Sequence, residues 1–292
     1  MAEQFTTPIS LGDLEQATFP EGNFIIGSKL LPANGLMVIG GPPKSYKSFV
    51  SSTLLYHLAT GTNVFDTIRT LHGEQRTLEH AFPVPRPMRV LYLEQEIGFE
   101  DTRERLIGVL SHITPEQAAL YRSNMWVYSR DMSMRLDRED GCLKIESLIE
   151  AVKPDVVCID PLIEFHQQNE NDASEMNLVF KNLDILREKH NFAAIICHHT
   201  SKPSMHSAKS GADLLRGTSA LFGKGDSFLM LNVTNRNAGL IAVDFTIRRG
   251  KPISPLTLKL DTDRMQVRFL TWKSVADESR TVSEKGHKPR PN

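Results

Sequence analysis

Short apolar runs alternating with longer stretches of helical period organise most of this chain. The runs GLMVIG (35–40), RVLYLEQ (89–95), MWVYSR (125–130), DVVCID (155–160), FAAIICH (192–198) and SFLMLNV (227–233) have the length and β-branched content of buried strands. Helical periodicity covers 47–60, 100–110, 143–152 and 173–190. Near-continuous apolar strands alternating with helices predict an α/β fold, a mainly parallel sheet with helices on both faces. Further on, IAVDFTIR, LTLKLD and MQVRFL alternate residue by residue. They predict antiparallel strands closing the C-terminal edge of the sheet.

The same pattern sets the domain organisation. Residues 1–22 are polar and read as an N-terminal extension, too short for a docking domain ahead of the folded part. Residues 23–272 read as one domain, and 273–292 as a polar tail expected to be disordered. Segment 71–87, with three prolines after Phe82, reads as an insertion or surface loop. Composition changes little: 292 residues with 40% hydrophobic content support a substantial core. The net charge of -1 gives no global attraction to nucleic acid or anionic membrane, so any such binding needs a local patch. Cys142, Cys158 and Cys197 are odd in number and widely spaced, the last two inside apolar runs, which predicts small buried hydrophobes in a reducing compartment. With no basic and apolar leader and no bilayer-length run, the expectation is a cytoplasmic protein that does not enter a membrane.

Chemistry begins at GGPPKSYKS (40–48), which approaches the phosphate-loop pattern G-x-x-x-x-G-K-[ST] but has Tyr46 at the second glycine. Its place between an apolar strand and an apolar helix is the context such a loop needs. There, backbone N–H groups from Gly41 through Lys44, Ser45, Tyr46, Lys47, Ser48 and Phe49 would cradle phosphates, Lys47 would neutralise β/γ oxygens, and Ser48 would ligate Mg²⁺. Pro42 and Pro43 stiffen the loop without emptying it of donors. The ring of Tyr46 must point away from the phosphates. DVVCID ends in Asp160, the form of a strand whose carboxylate holds Mg²⁺ through water. RVLYLEQE delivers Glu94 and Glu96, which a strand period of two would put on one face. His198 and His199 follow a third strand, and one of them can sense a γ-phosphate; metal binding by this pair with His166 and His206 lacks any recognised ligand spacing. Lys202, Lys209 and Arg216 sit among small residues in a segment that reads either as a solvated loop or as one that grips phosphate backbone.

In order, the phosphate loop, the strand ending LEQE, KPDVVCIDPL, ENDASEMN, CHHTSK, LRGTSAL and FTIRRGKPISP resemble the RecA-like ATPases of the plasmid RepA type. These are hexameric helicases related to the DnaB replicative helicases and more distantly to KaiC. The resemblance spans roughly residues 20–262. It implies a RecA-like P-loop core that binds ATP and Mg²⁺, with Lys47 and Ser48 as the loop lysine and hydroxyl and Asp160 as the metal-side carboxylate. Glu96 matches the catalytic glutamate, His199 the sensor histidine, and Arg248 the arginine finger that reaches a neighbouring subunit. Tyr46 departs from the usual glycine, which bears on the rate of hydrolysis more than on nucleotide binding. The implied protein is a homo-oligomeric ring, a hexamer, that moves on single-stranded DNA through the 202–218 loop. A recombination ATPase without unwinding and a KaiC-like nucleotide switch acting on a protein partner fit the same residues.

Overall fold

A computed structural model describes residues 8–17, 24–65, 82–170, 172–200 and 219–272. Nine strands form one sheet: β3 (Leu36–Gly41), β4 (Val90–Glu94), β5 (Met125–Ser129), β6 (Val156–Asp160), β7 (Ala193–His199), β8 (Ser227–Asn235), β9 (Leu240–Ile247), β10 (Leu256–Asp261) and β11 (Gln266–Trp272). Their order is β11-β10-β9-β8-β3-β7-β6-β4-β5, with every pairing from β8 to β5 parallel and those from β8 outward to β11 antiparallel. A two-stranded hairpin of β1 (Phe24–Ile26) and β2 (Leu31–Pro32) stands apart from it.

Pleating divides the core into two layers. Met37 and Ile39 of β3, with Ile195 and Cys197 of β7, face the cluster that holds α2 (Lys47–Thr60). Leu36 and Val38, with Ala194 and Ile196, face the cluster built with α5 (Glu139–Val152) and α6 (Ala173–His190). Helices therefore cover both faces, as parallel strands buried on both sides require. Helix α2 is buried on nearly every side, because the α4 helix (Pro115–Asn124) and β11 pack against it as well as the sheet; the Val267 N–H donates to Thr53 Oγ1 at 3.0 Å.

The remaining helices are α1 (Leu11–Gln16), α3 (Phe99–Ile107) and α7 (Ser219–Lys224). Of segment 71–87 the structure describes 82–87, and these are not wholly at the surface. Phe82 and Val84 are buried in the α2-side core, and Val64 bridges Phe82. Cys158 and Cys197 are buried free thiols, and Cys142 is half-buried.

Candidate nucleotide site

Four parallel strands end on one side of the sheet, and each delivers a residue that the motifs singled out. β3 runs into the phosphate loop at Gly41, β4 ends at Glu94, β6 at Asp160 and β7 at His199. Open α/β sheets bind ligands at the carboxyl ends of their strands, where the strand order reverses. Here β3 lies between β7 and β8, with the next strand in sequence, β4, two places beyond β7, so the loop sits at such a reversal.

The loop's conformation explains its residues. Gly41 leaves no room for a side chain, since a Cβ there would come within 2.5 Å of Ser45 Oγ and 3.1 Å of the Leu231 carbonyl oxygen. Lys44 (φ 63°) and Tyr46 (φ 65°, ψ 26°) both adopt the left-handed region. For non-glycine residues that costs about 1 kcal/mol each, which is why the usual pattern has glycine at the second of these positions. Tyr46 is the N-cap of α2 and gives no side-chain cap. The first N–H groups of the helix are therefore left to an anion. Ser45 Oγ is buried without a hydrogen-bond partner.

Lys47, only 6% exposed, donates from Nζ to the carbonyls of Gly41 and Pro42, both at 3.1 Å, and contacts His199 Nδ1 at 3.1 Å. Burial lowers its pKa, against the opposing charges of Cys197, Asp160 and Glu96. An ammonium has no acceptor, so Nδ1 of His199 accepts and the imidazole proton resides on Nε2. Burial first, and the Lys47 charge second, lower the His199 pKa and hold the ring neutral. His199 thus carries one N–H donor, on the nitrogen not bonded to Lys47.

Asp160, 2% exposed, accepts at Oδ2 from Ser51 Oγ at 3.1 Å and from the Tyr92 hydroxyl at 2.8 Å. Ser51 lies one turn beyond Ser48 on α2, so the carboxylate is fixed beside the Ser48 end of the helix. An uncapped helix start, a lysine and a hydroxyl–carboxylate pair suit a nucleotide with its Mg²⁺, which Ser48 and Asp160 would hold.

The two glutamates part company. β4 stops at Glu94, so the period of two does not carry on to Glu96. Glu94 turns inward, 2% exposed, where Oε1 accepts the N–H groups of Glu96 at 2.7 Å and Ile97 at 2.6 Å, and Oε2 accepts from Thr102 at 3.3 Å. It holds the turn. Glu96 is exposed at the strand end, close enough for its charge to act on both Lys47 and His199.

A sequence model for a family described as an AAA domain matches residues 3–205, more than half of the chain and every landmark from the phosphate loop to His199. The chain belongs to this AAA-domain family. No curated protein matches it in sequence. Among solved structures, the AAA domain is similar to the ATPase domain of G40P, with a TM-score of 0.54 and 13% identity over 89% of this chain and 95% of that one. It is similar to the RadB recombinase, with a TM-score of 0.53 and 17% identity over 82% of this chain and 91% of that one. A DnaB-like replicative helicase, studied with primase, gives a TM-score of 0.53 and 11% identity over 81% of this chain and 57% of that one. At these identities the likeness is one of fold, and the fold is that of the RecA-like P-loop ATPases.

The other described residues that the motifs singled out lie away from the loop. His198 faces the opposite side of β7 from His199, as alternation along a strand requires. Its Nδ1 stands 3.4 Å from Glu170 Oε1, and His166 Nε2 stands 3.8 Å from the same oxygen; none of these atoms has a hydrogen-bond partner. Burial lowers the pKa of His198 to about 4, lowers that of His166 and raises that of Glu170. His198 and His199 therefore belong to different clusters and do not converge on one metal ion. Arg248 is exposed and donates to the Gly223 carbonyl. Its neighbour Ile247 pairs with Ser227, which pairs with Met37 at the start of β3. That places Arg248 roughly 15 Å from the loop along the strands and about 10 Å across them, beyond its reach of its own phosphate loop. Lys202, Lys209 and Arg216, with His206, lie outside the described residues. Among the described residues no helix is long and apolar enough to cross a membrane. The sequence pattern left Ser51 and Tyr92 unassigned, although period two from Glu94 puts Tyr92 on the same face.

Proposed function

We propose that this chain is an oligomeric ATP-hydrolysing motor that acts on single-stranded DNA, a replicative helicase of the plasmid RepA type. The observation that carries the ATPase reading is the convergence of Lys47, Asp160, Glu96 and His199 at the ends of four adjacent or near-adjacent strands, with Lys47 bonded to the sensor histidine. Lys47 and the loop N–H groups would bind and neutralise the triphosphate. Glu96 would take the proton of the attacking water, and the Nε2–H of His199 would report the γ-phosphate to the chain that follows β7. Mg²⁺, held by Ser48 and Asp160, would supply charge neutralisation to the phosphates.

Oligomerisation is supported by Arg248, whose distance from its own loop suits a finger that serves a neighbour's site, in a ring of six on this reading. The DNA reading rests on the family resemblance and on Lys202, Lys209 and Arg216 in the segment after His199. The test is the ATPase rate with and without single-stranded DNA on protein whose solution mass is measured alongside. DNA stimulation in an oligomer supports the motor; a flat rate in a monomer would sink it. Unwinding of a forked duplex then separates a helicase from a recombination ATPase.

A further inference from the structure

The hairpin joining β8 to β9 reaches back over the phosphate loop. At its tip Arg236 donates from Nη2 to the Lys44 carbonyl oxygen at 3.1 Å, and its guanidinium carbon stands 5.7 Å from the centre of the Tyr46 ring. Tyr46 meets Phe49 edge-on, with centroids 6.2 Å apart and planes at 75°, and Arg105 of α3 lies 4.8 Å over Phe49. Two arginines distant in sequence thus flank two rings carried by the loop and the first turn of α2.

The points of contact are specific. Lys44 and Tyr46 are the residues of this loop with positive φ, and Arg236 touches the carbonyl of one and the ring of the other. The Lys44 carbonyl shares its peptide plane with the Ser45 N–H, and in a trans peptide the two point in opposite directions. A guanidinium that draws the carbonyl toward the hairpin therefore turns the Ser45 N–H away from the hairpin. A tyrosine in a glycine's conformation has to be held there, and its own ring supplies the surface on which the guanidinium rests.

We propose that Arg236 is a positioning residue for the nucleotide: through the Lys44 carbonyl and the Tyr46 ring it keeps the phosphate loop in its left-handed conformation before any phosphate arrives. This rests on the nucleotide-binding reading of the loop and goes beyond it, because it assigns a role to a hairpin outside the motif and makes Tyr46 one half of a pair. The ordering cost of the loop is then met in advance, which shows as affinity rather than as turnover.

Titration with the fluorescent nucleotide mant-ADP tests it, on wild type, Arg236→Ala, Arg236→Lys, Tyr46→Ala and the Arg236→Ala/Tyr46→Ala double variant, with Asn237→Ala as a control on the same hairpin. Arg236→Ala and Tyr46→Ala should each weaken binding about tenfold, the size of one lost charge-assisted hydrogen bond. The double variant should be little worse than either, since the two act as a unit. Arg236→Lys should recover part of the loss, and Asn237→Ala should match wild type. At saturating ATP the Arg236→Ala turnover should stay within about threefold while KM rises, because the guanidinium touches no reacting atom. Arg236→Ala binding within twofold of wild type, or single effects that simply multiply, overturns the proposal and leaves the ATPase reading standing. A wild type that does not bind mant-ADP overturns both.

Discussion

Glu96→Gln should keep nucleotide and lose hydrolysis by ~10²-fold or more, because the amide preserves shape and removes the base. Glu94→Gln should act differently. Its Oε1 accepts the N–H groups of Glu96 and Ile97, bonds that an amide oxygen keeps without the charge that strengthens them, costing about 1 kcal/mol of stability. Steady-state ATPase and urea denaturation on both variants separate the roles; lost turnover at unchanged stability in Glu94→Gln would reverse the assignment. Lys47→Ala should abolish hydrolysis, since the four-atom arm that reaches both the loop carbonyls and His199 is gone, and persistent turnover would place the chemistry elsewhere. At this scale the sequence was an uneven guide. Lys47, Ser48, Asp160 and His199 were legible because each is fixed by the end of an element. The strand pattern alone puts Glu94 and Glu96 on one face, because nothing in LEQE tells where β4 stops, and only the family resemblance singles out Glu96. Arg236 carried no signal at all, being an exposed arginine in a polar hairpin.

Elements were legible where their borders are punctuated. Helices α2 and α6 run over the residues that the apolar period indicates, 47–60 and 173–190. Helix α4 escaped notice because it buries only Ala118 and Tyr121, so its apolar stripe is thin, although Thr114 and Gln117 form a full capping box that marks its start. The hairpin of β1 and β2 is too short for any period to register. Helix α2 and strand β7 each bury a histidine: burial lowers the pKa of His57 to about 3 and that of His198 to about 4. Both titrate near 6.5 when unfolded. Below that pH the unfolded chain takes up protons that the fold refuses, so stability is full above about 6.5 and falls as the pH drops toward the folded values. The slope is about 1.4 kcal/mol per pH unit for each fully titrating histidine. Denaturation curves at pH 7 and 5 should show the loss, and His198→Gln should flatten it. An unchanged slope in that variant would remove His198 as a source.

At the scale of the whole molecule, the α/β architecture with an antiparallel edge was readable in the alternation of runs, whereas the strand order was not, since it depends on crossovers that no local pattern records. Arg248 is where the two levels meet. Arg248→Ala chains should still bind ATP, and mixed with Lys47→Ala chains they should regain hydrolysis, because each supplies what the other lacks across a shared interface. A neighbour's finger contributes ~10³-fold or more in comparable phosphoryl transfer, so even sparse mixed interfaces should register in a steady-state assay. Mixtures no more active than the sum of the parts, where subunits demonstrably exchange, would leave Arg248 a surface charge. The sheet separates this arginine from its own phosphate loop by most of a strand's length, and on the proposed intersubunit role a solitary chain amounts to half an enzyme. Turnover per molecule should then climb with protein concentration and collapse on dilution below the assembly threshold. A dilution series of specific activity reads this directly, and on this reading the fold carries a quorum: its chemistry starts only when enough copies are present to complete one another.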